Sequence, residues 1–548
     1  MSITKLRELG VMIDCSRNAV ISVPALKNFI KIIAEFGYDY VGLYTEDTIE
    51  VEGEPYFGYQ RGRLTASEIK EADAFAREHG MELRPYIQTL AHINQIVDYA
   101  DYADIIDVND ILLVGDPKTE ELLDHILETV SKVYSSKVVN IGMDEAHMVG
   151  LGKYLEKHGY ENRVDIILKH LNMVVGLCKK HGLKPQMWSD MFFRILSGGE
   201  YGTEDEAAAK ALTDEFKKNV KIPEGLELVY WDYYSTEKSH YESILAQHKA
   251  LTPNISFAGG AWRWMGFTPY NSYSIIITEA AMEACLAQDI DSCVMTMWGD
   301  DGTECSIYSV LPVLLVAAGK GGKLPKGCDA KELFKEVTGY TTDEFMLLDI
   351  ANPGCEGKKK NNLSKILLFN DPLLGVFDSL VPENVSDYYE KAAEKLKAVT
   401  SNQERAFDAI FRTQEALCRV LAHKAELGIK LRKAYQGKDF ETLKHIKEYD
   451  IPVLIVLLDK FYDEFKLQWK KEAKTFGFEV QTIRIGGLKQ RLVDIEDLLE
   501  DYLITPGLKI EELETEPLPV GYWLHGVPID EPEYGRYEKF VTTSRLTW

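Results

Sequence analysis

Eight short apolar runs, each followed by an amphipathic stretch, occupy residues 10 to about 320 and constrain the fold more than any other feature. The runs lack strict alternation of apolar and polar residues, which indicates a parallel sheet covered on both faces. Eight such units predict a (β/α)8 TIM barrel within residues 1–335. A doubly wound open sheet is the alternative, but no Gly-rich phosphate loop follows the first run. The runs are VMIDCS (11–16), YVGLY (40–44), MELRPYIQT (81–89), VVNIGMDE (138–145), LKPQMWSD (183–190), ELVYWDY (227–233), ISFAGGAW (255–262) and SCVMTMWGD (292–300).

The pattern changes after about residue 335, where long amphipathic segments replace the alternation. These segments are 385–433, 439–475 and 488–503, and they predict a mainly α-helical C-terminal domain over residues 336–548. The last stretch, from Pro517 to Trp548, is rich in Pro, Gly and aromatic residues and is predicted to pack as an ordered tail. A chain of 548 residues is long enough for two such cores.

The charge balance restricts the partners that this chain can have. Lys and Arg together number 62 against 87 Asp and Glu, a net charge of −25. Such a surface repels phosphate backbones and anionic lipid, so neither nucleic acid nor a membrane is expected as a partner. No signal-peptide pattern opens the sequence, and eight scattered cysteines form no C-x-x-C pair. We therefore expect a cytoplasmic protein with reduced thiols and neither a zinc site nor a disulfide framework.

Aromatic and acidic residues collect where the predicted strands end, which is where barrels of this type form their active sites. A single Trp near a strand end is more often packing than a ligand wall, but five of the eight tryptophans share this location. Trp and Tyr offer flat apolar faces to a sugar ring, while carboxylates and Arg bind its hydroxyl groups. The pattern therefore predicts a carbohydrate site. The five are Trp188, Trp231, Trp262, Trp264 and Trp298.

The adjacent acids Asp144 and Glu145 end the fourth run. Neighbouring residues of a strand point to opposite faces, so the chain must leave the strand before both can reach the barrel mouth. Adjacent carboxylates suit a division in which one protonates the leaving oxygen and the other grips a substrate group that attacks. Two alternatives stay open at this point: a conventional glycosidase with a nucleophile such as Asp232 or Asp300, or a non-catalytic glycan-binding protein.

These residues resemble those of glycoside hydrolase family 20, the β-N-acetylhexosaminidases, in a form lacking the usual N-terminal α/β domain. The hallmark is Gly142-Met143-Asp144-Glu145 at the end of strand 4. The acidic motif of strand 2 is similar to Leu43-Tyr44-Thr45-Glu46-Asp47, although the Pro-Gly-His expected after strand 3 is here Leu90-Ala91-His92. The strand-8 Trp-x-Glu is here Trp298-Gly299-Asp300. The other matching residues are Arg17, Trp188, Trp231 and Tyr233.

The resemblance implies a retaining exo-β-N-acetylhexosaminidase that acts on small oligosaccharides by substrate-assisted catalysis through an oxazolinium intermediate, without metal or organic cofactor. Glu145 would be the general acid and then base, and Asp144 would orient the acetamido group. His92, backed by Asp47 or Glu46, would support the acid. Substrate binding would fall to Arg17, His92, Trp188, Trp231, Tyr233, Trp298 and Asp300.

Several properties stay open at the sequence level. The residues do not distinguish GlcNAc from GalNAc as the terminal sugar, and they give neither the linkage nor the natural glycan. A helical domain beside a barrel is compatible with a homodimer.

Overall fold

A computed structural model describes residues 4–197, 199, 201–354, 362–400, 404–519 and 536–546. Contacts divide the chain into two compact units. The first comprises Met1–Ala261, Ser274–Trp298 and Val313–Leu333, and the second Trp262–Tyr273, Gly299–Pro312 and Phe334–Trp548. The domain boundary placed after residue 335 from the sequence stays a prediction.

The first unit contains a closed barrel of eight parallel strands, which confirms the predicted fold. Each strand pairs with its neighbours in sequence, and β1 closes the barrel by pairing with β8, with Ile13 opposite Met297. All eight strands fall within the predicted runs or within three residues of them. They are β1 (Glu8–Asp14), β2 (Tyr40–Tyr44), β3 (Glu82–Tyr86), β4 (Val138–Asn140), β5 (Lys184–Trp188), β6 (Glu227–Trp231), β7 (Ile255–Gly260) and β8 (Ser292–Met297).

Large aromatic side chains fill the interior of the barrel. Tyr40, Tyr44, Tyr86 and Trp188 are each at most 2% exposed and pack with smaller apolar residues from the other strands. Glycines on β1 and β2 leave the space for two of these rings. A Cβ atom on Gly10 would lie 2.0 Å from the ring of Tyr40, and one on Gly42 would lie 2.5 Å from the ring of Tyr86.

Helices follow the strands, as the amphipathic stretches predicted. Ser22 caps the first helix, with Pro24 in its first turn, and a capping box of Thr65 and Glu68 begins the second. An antiparallel ribbon of Ile106–Val108 and Ile111–Leu112 was not predicted. The helices up to residue 338 are α1 (Val23–Glu35), α2 (Ala66–Glu78), α3 (Pro117–Val133), α4 (Lys153–His158), α5 (Arg163–Lys180), α6 (Asp190–Ser197), α7 (Glu206–Asn219), α8 (Lys238–Leu251), α9 (Asn271–Ala287), α10 (Leu311–Lys320) and α11 (Ala330–Thr338).

The described residues after 338 are mainly helical, which confirms the predicted class of the C-terminal region. Of the predicted tail, residues 520–535 and 547–548 lie outside the described residues. The helices are α12 (Thr342–Met346), α13 (Leu363–Phe369), α14 (Val385–Thr400), α15 (Asp408–Lys424), α16 (Leu427–Gln436), α17 (Phe440–His445), α18 (Ile451–Glu472), α19 (Phe478–Ile504), α20 (Glu511–Glu514) and α21 (Tyr537–Phe540).

Three properties bear on function. Among the described helices, none is both long and apolar enough to cross a bilayer. Within the same residues, no group of three or more His, Cys, Asp and Glu side chains is arranged to hold a metal ion. Seven cysteines are free thiols, of which Cys328 is exposed and the others are buried, while Cys355 lies outside the described residues.

Candidate active site

The carboxyl end of β4 carries the two adjacent acids on irregular backbone. The strand ends at Asn140, and Gly142, Met143 and Glu145 then adopt positive φ angles of 71°, 71° and 52°. This left-handed backbone interrupts the alternation of a strand, as the sequence argument required. The result is an asymmetric pair, because the side chain of Asp144 is 12% exposed and that of Glu145 is 45% exposed.

His92 lies against both acids from the loop after β3. Its Nε2 is 3.3 Å from Asp144 Oδ2 and 3.6 Å from Glu145 Oε2. Burial alone would lower the pKa of His92, but the Asp144 and Glu46 carboxylates outweigh it and raise the pKa to about 10. Burial opposes the charge of Asp144, yet His92 and hydrogen bonds hold the pKa of Asp144 below its usual value. The site therefore holds an imidazolium beside a carboxylate at neutral pH.

Gln88, just after β3, fixes Asp144 and was missed by the sequence analysis. Its Nε2 donates to Asp144 Oδ1 at 2.7 Å and to the Tyr44 hydroxyl at 2.9 Å, and its Oε1 accepts from the Met143 N–H at 3.1 Å. The residue is 2% exposed. One amide side chain therefore links β2, β3 and the end of β4. In the sequence, the sign of this role is a single Gln within an apolar run.

Asp190 fixes the neighbouring acid and was not among the predicted site residues. It begins α6 directly after β5, and its Oδ2 accepts a hydrogen bond of 3.2 Å from the Glu145 N–H. Burial, together with the charges of Asp144 and Glu145, raises the pKa of Asp190 to about 7. The sequence placed this residue at a strand end but gave no sign of its contact with the Glu145 backbone.

Arg17 and the acidic motif after β2 form the other side of the site. Arg17 Nη1 lies 3.0 Å from Glu46 Oε1, which also accepts from the Tyr44 hydroxyl at 3.0 Å. Burial raises the pKa of Glu46 to about 7, although Arg17 and His92 pull it down. Asp47 instead binds Arg61 Nη2 at 3.2 Å. The structure thus links Glu46 electrostatically to His92 and pairs Asp47 with a different cation.

The aromatic residues predicted on β5, β6 and β8 converge in the first unit. Trp298 Nε1 donates to the Tyr233 hydroxyl at 3.1 Å, and the rings of Trp231 and Tyr233 stack with centroids 5.5 Å apart. Trp188 is 1% exposed, with its ring centroid 6.2 Å from that of Trp298. Tyr44, which already contacts Gln88 and Glu46, meets Trp298 edge-on at 4.8 Å. Aromatic and acidic groups are therefore joined in one network.

Three further strand-end residues belong to the second unit. Trp262 and Trp264 pack against each other with ring centroids 4.7 Å apart, and Asp300 is exposed. The predicted place of these residues at the site therefore stays a prediction from the sequence. Asp232, the alternative nucleophile, accepts hydrogen bonds from the Tyr230 hydroxyl at 2.7 Å and from His240 Nε2 at 2.8 Å.

Comparisons with known proteins agree with the resemblance read from the motifs. Residues 343–524 match the family model described as the Glycoside Hydrolase 20C C-terminal domain, a region that contains no barrel strand. Hexosaminidase D of Bos taurus is 21% identical over 249 residues, which are 44% of this chain and 65% of that protein. The chain thus covers slightly less than two thirds of this relative.

Two solved structures give similar matches. The GH20 β-N-acetylhexosaminidase from Streptomyces coelicolor A3(2) is 16% identical, with 61% of this chain and 70% of that chain covered and a TM-score of 0.44. The GH20 exo-β-N-acetylglucosaminidase from Vibrio harveyi, in complex with N-acetylglucosamine, is 14% identical, with 65% and 59% covered and a TM-score of 0.43.

Proposed function

We propose that this chain is a glycoside hydrolase family 20 β-N-acetylhexosaminidase and that it hydrolyses terminal β-linked N-acetylhexosamine from oligosaccharides with retention of configuration. The observation that carries the proposal is the asymmetry of the Asp144-Glu145 pair. Asp144 is buried and held by Gln88 and His92, whereas the neighbouring Glu145 side chain is 45% exposed. A carboxylate that is fixed in place can hold a substrate group, and an accessible neighbour can transfer protons in the same reaction.

In the proposed mechanism the substrate supplies the nucleophile. The oxygen of its 2-acetamido group attacks C1 while Glu145 protonates the leaving oxygen, which gives an oxazolinium intermediate. Glu145 then removes a proton from the water that opens this ring. Asp144 accepts the acetamido N–H and stabilises the positive charge that develops on the nitrogen. A carboxylate with a lowered pKa stays ionised for this purpose.

The remaining groups hold the terminal sugar. The Tyr233 hydroxyl donates to the acetamido oxygen, Arg17 binds ring hydroxyls, and Trp188, Trp231 and Trp298 provide apolar walls for the C–H faces of the ring. In this scheme Glu46 supports His92 electrostatically, while a sugar-binding role of Asp300 stays a prediction from the sequence. Asp47 acts through Arg61 rather than through His92.

A chromogenic assay tests the activity. The wild-type protein is incubated with aryl β-N-acetylglucosaminide, aryl β-N-acetylgalactosaminide and the matching aryl β-glucoside. We expect turnover of the acetamido substrates and none of the glucoside, because only the former carry the nucleophile. Turnover of the glucoside would indicate a conventional glycosidase, and no turnover of any substrate would leave a glycan-binding protein.

A fluorinated series tests the mechanism separately. Progressive fluorination of the N-acetyl group weakens its oxygen as a nucleophile while changing its size little. Removing a transition-state interaction lowers kcat, whereas removing uniform binding raises KM alone. We therefore expect kcat to fall steeply along the series and a thiazoline analogue of the intermediate to inhibit strongly. A flat series, or a covalent sugar trapped on a carboxylate of the protein, would contradict substrate assistance.

A further inference from the structure

Asp190 is a buried carboxylate beside the proposed acid, with no part in the mechanism above. It is fully buried at the start of α6, and its Oδ2 accepts the Glu145 N–H at 3.2 Å. Its Oδ1 has no hydrogen-bond partner within the described residues. A buried carboxylate with so few hydrogen-bond partners lowers the stability of the fold. Its hydrogen bond to the Glu145 N–H is therefore the contact that needs an explanation.

The charges around Asp190 compensate its buried negative charge only weakly. Asp144 and Glu145 face it from the loop after β4, and both favour its protonated form. Arg194, one turn along α6, is the nearby cation, with its Nε 3.7 Å from Oδ2. Tyr201, from the segment between α6 and α7, also interacts with Asp190 electrostatically. Asp190 therefore changes its charge near neutral pH, next to the two acids of the site.

The bond to Glu145 acts on strained backbone. Glu145 has a φ of 52°, a conformation that costs free energy for a residue with a side chain. A hydrogen bond from its N–H to a carboxylate is stronger than one to a neutral acceptor and offsets this strain. The direction in which the Glu145 side chain leaves the main chain depends on that φ angle.

We infer that Asp190 is a positioning residue, which holds the Glu145 main chain so that the Glu145 carboxyl group faces the leaving oxygen. This inference rests on the proposed function. It gives Asp190 two effects: it fixes geometry through the Glu145 N–H, and when ionised it places a negative charge beside the two acids of the site. Neither effect requires contact with the substrate.

Two substitutions separate these effects. Asp190→Asn keeps an oxygen that accepts the Glu145 N–H but removes the charge, and Asp190→Ala removes both. Asp73→Asn is the matched control, because Asp73 is also buried but binds Ser135 and Arg77 away from the site. Circular dichroism and thermal unfolding establish that each variant is folded before kinetics are measured.

The readout is the dependence of kcat/KM on the leaving group and on pH. A misplaced acid penalises poor leaving groups most, so Asp190→Ala should lose about 10²-fold on an alkyl glycoside or disaccharide and much less on a nitrophenyl glycoside. Asp190→Asn should keep most of its rate near pH 6, while the basic limb of its pH profile moves to lower pH. Asp73→Asn should match the wild type in both measurements.

The outcomes distinguish this inference from the proposed function. If the wild type is active but both Asp190 variants lose rate equally on good and poor leaving groups, with an unchanged pH profile, Asp190 is merely structural and the inference is overturned. If Asp190→Ala does not fold, the pH profile and leaving-group dependence of Asp190→Asn still decide. A wild type without hydrolytic activity would overturn the proposed function and this inference together.

Discussion

Asp144 and Glu145 are chemically similar neighbours that the structure places in different environments. Gln88 and His92 bind Asp144, and its side chain is 12% exposed. Glu145 is held through its main chain by Asp190, while its side chain is 45% exposed. A carboxylate bound on both oxygens stays in one position and one ionisation state, and an accessible neighbour can exchange protons with water.

Glu145→Gln tests this division of roles. The amide cannot protonate the leaving oxygen, so we expect kcat to fall roughly 10²–10⁴-fold on a natural disaccharide, the usual range for general acid catalysis. The loss should be smaller on an aryl glycoside, whose leaving group needs little protonation. Steady-state kinetics on both substrates measure it, with the exposed Glu156→Gln on α4 as the control. Equal losses on the two substrates would remove Glu145 from the acid role.

His92→Gln should reduce stability in a pH-dependent manner. The pKa of His92 is raised from 6.5 to about 10 in the folded state, so its stabilising effect is complete below pH 6.5 and disappears as the pH rises through 10. The pKa of Asp144 is lowered, so its contribution is present above its usual value and disappears in acid. Breaking such a buried pair costs about 3–5 kcal/mol at most.

Urea unfolding of the wild type and His92→Gln between pH 5 and pH 10 measures this difference. We expect the largest loss of unfolding free energy near pH 5–6 and a progressive decrease of the loss toward pH 10. A loss of constant size over this range would show that His92 does not carry its charge in the folded protein.

At the scale of a secondary-structure element, the loop after β4 depends on Gly142. Its φ is 71°, and a Cβ atom there would lie 2.1 Å from Gln88 Oε1 and 2.8 Å from the Ile87 carbonyl oxygen. Because Gln88 is fixed by three hydrogen bonds, it cannot move aside without releasing Asp144. Both the position and the backbone angle therefore select glycine.

Gly142→Ala should lower both stability and activity. The left-handed conformation alone costs an alanine roughly 1–2 kcal/mol, and the collision adds to this. Gly182→Ala is the matched control, since its φ is 70° and a Cβ atom there would meet nothing within 4 Å. Thermal unfolding and kcat are measured for both variants. Equal destabilisation by the two substitutions, with kcat unchanged in Gly142→Ala, would mean that the collision is relieved without disturbing Asp144.

The strands could be predicted because their apolar runs are local signals, but their ends could not. The fourth run extends to Glu145, with the chain predicted to leave the strand at the two acids, yet β4 already ends at Asn140, because left-handed residues follow it. Gln88 and Asp190 were missed for a related reason. Their roles arise from hydrogen bonds to residues 55 and 45 positions away, and no local pattern records such pairings.

At the scale of the whole molecule, the second unit includes two segments that follow barrel strands in sequence, Trp262–Tyr273 and Gly299–Pro312. Helices of that unit hold both segments. Asp349 accepts the Asn271 N–H at 2.8 Å, and Glu472 accepts the Ile307 N–H at 3.0 Å. The sequence predicted a barrel followed by a separate helical domain. It did not predict these contacts, because helical periodicity does not reveal which earlier segments a later helix will bind.

A buried ionic cluster in the second unit allows a test of how much paired charges contribute to the stability of this unit. The Lys365 side chain on α13 is fully buried, with Nζ 2.8 Å from Asp301 Oδ2 and 2.6 Å from Glu304 Oε2. Arg484 on α19 contacts the same two acids at 2.8 and 3.1 Å. Burial raises the pKa of Asp301, but the two cations outweigh it and hold this pKa below its usual value. Two cations and two anions thus compensate each other.

Lys365→Met should leave two buried carboxylates with one cation and lower the unfolding free energy by about 3–5 kcal/mol. Lys489→Met, which removes an exposed pair with Asp459, should cost no more than about 1 kcal/mol. The deficit of Lys365→Met should shrink as the pH falls from 7 to 5, because an uncompensated buried carboxyl group takes up a proton more readily. Adding Glu304→Gln should restore part of the loss at pH 7. Calorimetry of the wild type and the three variants measures these differences. If the stability deficit of Lys365→Met does not change with pH, or if the double variant recovers no stability, the loss comes from the packing of the lysine stem and not from unpaired charge.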